Sequence, residues 1–470
     1  MKATLRKAPS RKLFASGLGS VLLPLAALIA IPCGAFAQSA ARAPATPTFT
    51  KDVAPILQRS CQSCHRPDSI APMSLLTYEE ARPWAQSIRS NVAQRIMPPW
   101  HIDRNIGINE FKNSVALPDA DIATIVKWVD GGALKGNPAD MPSPRKFEDN
   151  DRWNIGTPDL IVQMPKDILV GAKAPDAWRN VVVDSGLTED RYIKAFELKP
   201  LKGHRVIHHV GGSIVSPDGR SSFLEAYGIG KNGNTLDADE GVLMKAGAKV
   251  TFGLHLHAVK DETSANVAMA FKFYPKGYTP KHVVYTEEMG DVTDLDFPPN
   301  SPNVRTDGYQ TLLKPTRIIA YQPHMHTRGK AMCMEAIYPP AEGVSGGAGR
   351  GNKVETLSCV SNFQFNWHIV YEYASDAQPL LPTGTVLHIV SWHDNSVNLR
   401  GNPDADNWIG YGQRTIDDMS HAWVTYFSMT DEEYKAAVAE RKVVLQTKAK
   451  EKQNAGAAAR LAASASLPVR

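Results

Sequence analysis

Beyond its first 37 residues the chain has no apolar run long enough to cross a bilayer, which takes about 20 residues. It has no basic run suited to a nucleic-acid backbone either. Cysteine is scarce, five in 470 residues, and one of the five, Cys33, falls in the N-terminal leader. That leader is the one strongly biased segment. Lys2, Arg6, Lys7, Arg11 and Lys12 precede an apolar run from Gly17 to Pro32, and Ala35-Phe36-Ala37 is a small-x-small cleavage site. Residues 1–37 therefore read as a cleavable signal peptide, with no stable membrane insertion after its removal. Cleavage takes away five of the 52 basic residues and none of the 48 acidic ones, so the mature chain sits near −1. Export implies an oxidising compartment, where Cys333 and Cys359 are expected to pair around the Gly-rich stretch GVSGGAGRGN. At about 150 residues per domain, the length suggests three units.

The other two cysteines stand in CQSCH, residues 61–65. Cys61 and Cys64 at this spacing suit a redox disulfide, half a zinc site, or the thioether anchors of a haem. His65, directly after the second cysteine, favours haem, because a covalently held c-type haem needs an axial nitrogen beside its anchors. The flanks are helical. FTKDVAPILQRSC places Val53, Ile56 and Leu57 on one face, and DADIATIVKWVDGGA does the same with Ile122, Ile125, Val126 and Val129. Asp119 or Asp121 is expected to cap the second helix and Gly131-Gly132 to end it. Residues 50–140 thus resemble class I cytochrome c, a small all-α domain. The resemblance implies a second axial ligand on an intervening loop. Met97 in IMPPW, stiffened by two prolines, is preferred over Met73 and His101. Haem attachment outside the cytoplasm agrees with a periplasmic location.

After about Pro142 the pattern changes. WRNVVVD, YIKAFEL, AKVTFGLHLHAV, NVAMAFKFYP, TRIIAYQPHMH and TVLHIVSWHD alternate apolar and polar residues between Gly, Pro, Asn and Asp clusters. This predicts two all-β antiparallel sandwich domains, at 150–290 and 306–430, with a boundary between Gly290 and Thr306. The chain is expected to close with a helical tail, 431–470, begun by a capping box of Thr430 and Glu433 and fraying through NAGAAARLAASASLPVR.

Six of the 14 histidines fall in tight groups in the β-rich part, at His208-His209, His255-x-His257 and His324-x-His326, the last two being three-residue HxH runs. Side chains at i and i+2 on a strand share a face, so each HxH is a two-nitrogen chelate. Adjacent His208 and His209 face opposite ways on a regular strand and share a metal only at a bulge or strand end, for which Gly211-Gly212 is the nearest signal. Imidazole suits zinc, copper, iron and nickel alike, whereas a thioether such as Met419 in TIDDMSHAWVTYF selects reduced copper.

HH, then HxH, then HMHTRGK, then a late DDM resembles the ordered motifs of the copper type II, ascorbate-dependent monooxygenases, a family that includes the peptidylglycine α-hydroxylating and dopamine β-monooxygenases. The resemblance covers about residues 150 to 430 and implies one copper per sandwich. His208, His209 and His257, with His255 as the alternative third ligand, would hold the electron-transferring copper. His324, His326 and Met419 would hold the copper at which dioxygen binds and the reaction occurs. His204, His282, His368, His388, His393 and His421 have no ligand counterpart. Three positions depart from the peptidylglycine branch. Gln322 stands in place of its carboxylate-binding arginine, and His421 and Trp423 replace its asparagine and tyrosine, so a glycine-extended peptide is not the expected substrate.

The resemblance implies an exported enzyme that hydroxylates a C–H bond of a small organic substrate with O2. Its cofactors would be two copper ions and one covalently bound haem c, the haem passing electrons from a periplasmic donor or an ascorbate-like reductant. The alternative is a non-catalytic haem and copper electron-transfer protein on the same scaffold. A zinc hydrolase explains neither Met419 nor the haem motif.

Overall fold

The computed structural model describes residues 46–465 apart from 68, 70, 113, 148–151, 228–232, 292 and 341–352. The expected signal peptide and the stretch GVSGGAGRGN lie outside the described residues. The rest is mostly β-sheet, in four sheets that are antiparallel except where His282–Val283 runs parallel to Glu240–Met244.

Two sheets share the first core. The larger orders Leu160–Gln163, Thr263–Phe273, Arg191–Lys202, Glu240–Met244 and His282–Val283, and the smaller orders Ala177–Asp184, Lys249–Leu256, Ile207–Val215 and Ser221–Tyr227. The two-residue alternation of a strand fills the space between them. In Lys249–Leu256, Val250, Phe252 and Leu254 are wholly buried and meet Val210, Met269 and Phe271 from the other strands. Thr263–Phe273 is buried on both faces, because Trp153, Ile155 and Ala195 cover the outer side of Ala270. Residues 267–271 are accordingly apolar at every position, as expected of a strand covered on both sides.

The second pair of sheets repeats the plan. One orders Tyr285–Asp291, Ser420–Ser428, Thr316–Met325 and Tyr371–Glu372, and the other Ser301–Thr311, Val386–Asn395, Gly329–Ile337 and Val354–Val360. Tyr321, Met325, Met332, Met334, Ile389 and Val424 form its centre. Cys333 and Cys359 stand directly opposite each other on neighbouring strands and are joined by a disulfide, the pairing expected from the sequence. The boundary differs from that expectation. Tyr285–Asp291 pairs along its whole length with Ser420–Ser428, so the second unit begins near 285 and not after Gly290. The Pro-rich DFPPNSPN is an internal connection. Ile319, Ala320, Phe427 and Met429 from this unit enter the first core, so the two sandwiches are packed together and not merely linked.

The helical stretch comprises Ala54–Ser60, Tyr78–Ala81, Ala85–Ala93 and Asp119–Asp130 around Phe49, Leu57, Ile125 and Trp128. The expected cap of Asp119–Asp130 is absent. Pro118 occupies the cap position, while Asp119 pairs with Arg95 and Arg104 and Asp121 with Arg59. The end falls at Gly131-Gly132 as expected, and Gly132 takes a φ of +91° that suits a residue without a Cβ. The loop after Met97 leaves the helices. Trp100 and Ile102 join the second sandwich core, and Asp103 and Ile108 donate backbone hydrogen bonds to the carbonyls of Cys359 and Leu357, each at 2.8 Å. The helices belong to the same compact unit as the sheets.

The closing helix runs Asp431–Ala465, with Thr430 and Glu433 exchanging backbone and side-chain hydrogen bonds of 2.9 and 3.2 Å. It continues into the Ala-rich segment expected to fray as far as Ala465, because alanine is the strongest helix former.

Candidate metal centre

The first histidine cluster is made by a strand defect. In the pairing of Ile207–Val215 with Lys249–Leu256, Ile207 faces Leu256 and His209 faces His255, so His208 is an extra residue with no partner. A bulge of this kind rotates one side chain onto the face its neighbour already uses. His208 and His209 therefore converge, with Nδ1 atoms 3.1 Å apart, and His208 Nδ1 lies 3.3 Å from His255 Nδ1. The distortion falls on His208 itself and not at Gly211-Gly212.

His208, His209 and His255 each present a ring nitrogen within 4.8 Å of the others, the one such group among the described residues. His257 lies just past the strand end, its ring 5.7 Å from that of His208. The geometry thus favours His255 as third ligand where the sequence favoured His257. The His255 ring is held by Trp178, stacked at 4.6 Å and nearly parallel, and its Nε2 lies 3.4 Å from an Asp176 carboxylate oxygen.

The second cluster sits on the other sandwich. His324 faces His421 across the pairing of Thr316–Met325 with Ser420–Ser428, and their rings stack at 4.7 Å. The two-residue strand period puts His326 on the face of His324, and Met419 on that of His421. His326 is oriented by its own hydrogen bond, Nδ1–H donating to the Asp417 carbonyl at 3.1 Å, which leaves Nε2 as the free nitrogen. Such outer hydrogen bonds set the tautomer of a ligating histidine. The wholly buried Asp418 braces the backbone on both sides. Its Oδ1 accepts from the N–H of His326 at 3.0 Å and of Met419 at 2.8 Å, and His393 stands 3.6 Å behind it. This cluster is looser than the first, with His324 and His326 rings 5.5 Å apart.

His368 and His421, which the sequence left without a role, belong to this arrangement. The His368 ring lies 4.4 Å from His209 and 5.0 Å from His324, so it stands between the clusters. Register alone would have revealed His421. No local pattern marks His368, which sits on the loop between Val354–Val360 and Tyr371–Glu372. Two of the remaining histidines are engaged elsewhere. His388 bridges Glu335 and Asp307 at 3.0 and 2.7 Å, and His282 stacks on Phe427.

Burial controls the protonation of the cluster. It pushes His208 down to about 4 and His368 and His421 to about 3, with neighbouring histidines adding to the effect, and it holds His209 and His324 well below the usual imidazole range. Neutral imidazole is the form that ligates a metal.

At the helical end, Cys61 and Cys64 are free thiols, and burial pushes Cys61 up to about 12 and raises Cys64. His65 Nδ1–H donates to the Met73 carbonyl at 3.3 Å, which frees Nε2. An axial haem ligand needs that orientation, so the motif's residues fit the group. Met97 lines a cavity with Val92, Leu117 and Ile122 of the helical core and with Trp100 and the buried His101, whose Nε2 has no hydrogen-bond partner. Met73, the other thioether, packs on the helical core.

No protein-family model matches the chain, and no curated protein matches it. Among solved structures it is similar to one titled "Structure of infectious bursal disease virus Gx strain", at 10% identity over 62% of this chain and 80% of that one. The TM-score of 0.17 is too low to carry an argument.

Proposed function

We propose that the chain is an exported copper-dependent monooxygenase that hydroxylates a C–H bond of a small organic substrate, with electrons delivered through a covalently bound haem c. The observation that carries this reading is the meeting of two histidine clusters, one from each sandwich, with the backbones of His326 and Met419 held together by Asp418 at the second. Bound copper would supply oxygen activation and one-electron storage. The overall change, R–H + O2 + 2e⁻ + 2H⁺ → R–OH + H2O, requires two electrons from outside the substrate.

The chain's own residues support the parts of this chemistry. His208, His209 and His255 offer a nitrogen-only site suited to passing electrons. His324, His326 and Met419 offer a softer one, which favours the reduced metal. Asp418 and the Asp417 carbonyl keep that second set in place. Beside it, the stacked Phe223 and Trp423, 4.3 Å apart, wall a small cavity that also includes Gln322.

Elemental analysis of protein matured in a periplasm with haem-attachment machinery tests the reading. About two coppers per iron is the expected result. Iron without copper, even after copper reconstitution, would leave an electron-transfer protein on this scaffold.

A further inference from the structure

The two clusters need not act as separate sites facing each other across solvent. The loop carrying His368 fills the space between them. Gln322 Nε2 donates to the His368 carbonyl at 3.4 Å, which ties the loop to the strand that carries His324, and Phe363 N–H donates to the Lys330 carbonyl at 2.8 Å on the other sheet of the same sandwich. Phe365 on the same loop touches His208, His326 and His368 with its ring. His368 itself is 6% exposed, and its Nε2 is buried with no hydrogen-bond partner. An unpartnered buried nitrogen is costly, and a native fold retains one where a ligand satisfies it.

The spacing fits a metal. Two imidazoles bound tetrahedrally to one ion at about 2 Å have ring centres on the order of 5 Å apart. His368 and His324 stand at 5.0 Å and His324 and His326 at 5.5 Å. The first cluster already has three converging nitrogens, whereas the second has His324 and His326, with the Nδ1 of His421 3.0 Å from a Glu288 carboxylate oxygen, and is the one to which the His368 loop is anchored.

We propose that His368 is a ligand of the second centre, its Nε2 joining His324 and His326, while its ring stays in contact with His209 of the first cluster. This assignment rests on the dicopper reading. It makes the second centre richer in nitrogen than the resemblance implies and joins the two clusters in one continuous site.

Copper(II) titration of the full-length protein, followed by electron paramagnetic resonance, tests it. The expected wild-type result is two bound coppers with a dipolar-broadened spectrum and a half-field signal. In His368→Ala and His368→Gln the second copper should bind about 10- to 100-fold more weakly, the loss typical when a supporting residue of a metal site is removed. The half-field signal should vanish. Free imidazole should restore binding to His368→Ala, which separates a lost ligand from a damaged fold. Two coppers bound with equal affinity and equal spectra in all three proteins would overturn the role of His368 and leave the dicopper reading standing. Weakened binding without imidazole rescue, together with a lowered melting temperature of the metal-free protein, would also overturn it. No copper in either cluster would overturn both.

Discussion

A single unpaired residue, His208, decides the geometry of the first cluster. On a regular strand its ring would face away from His209, and the bulge turns both inward. Asp418 has the equivalent part in the second cluster, where one carboxylate oxygen serves two backbone N–H groups on adjoining strands. Asp418→Ala leaves both donors buried and unpaired, and the expected loss is about 3 kcal/mol, read as a lower denaturation midpoint. Asp418→Asn keeps an acceptor and should lose about 1 kcal/mol. Equal stability of Asp418→Ala and wild type would contradict the bracing role. The buried histidines also make the metal-free protein sensitive to acid. Their folded pKa values lie below the unfolded value, near 4 for His208 and near 3 for His368 and His421. The unfolded chain therefore binds more protons below about pH 6.5, and stability is full above that point and lost as the pH falls toward 4. Urea melts of the metal-free protein at pH 7.5 and pH 5 should show the midpoint falling, and an unchanged midpoint would mean that these rings are solvated.

Among the elements, Gly329–Ile337 and Val354–Val360 carry the disulfide, with a sequence separation of 26. Closing a loop of this size restricts the unfolded chain by about 3 kcal/mol. The paired substitution Cys333→Ser with Cys359→Ser should cost about that much in a chemical melt, while metal binding at His324 and His326 persists, because the bridge lies on the other sheet of the sandwich. A loss of less than about 0.5 kcal/mol would mean that the strand pairing alone restricts the loop. The helical stretch illustrates how a cap is displaced. Asp119 and Asp121 stand in the first turn where a cap belongs, yet arginines on neighbouring segments take both carboxylates. Long-range ion pairing thus replaced a local hydrogen bond.

For the whole molecule, the decisive feature is contact between the sandwiches. Ile319, Ala320, Phe427 and Met429 reach into the first core, and this brings His209 beside His368. If the helical end feeds electrons into this junction, mixing reduced protein with oxygen and substrate should oxidise the haem within turnover. A haem that stays reduced throughout would separate it from the copper chemistry. Met419→Ala should abolish hydroxylation and leave the haem spectrum unchanged, because the two groups lie on different parts of the chain. Retained hydroxylation would remove Met419 from the reacting centre.

Much of this was legible in local pattern. Period-two alternation located the strands, HxH spacing marked His324 and His326 as neighbours on one face, and cysteine count anticipated the Cys333–Cys359 bridge. These features depend on residues close in sequence or on few possible partners, so one sequence determines them. The bulge at His208, the choice of His255 over His257, and the entry of His368 and His421 depend on strand register and on the packing of one sandwich against the other. Register is set by the sum of many cross-strand contacts, and the seam by apolar side chains more than a hundred residues apart. Only the tertiary structure brings those contributions together.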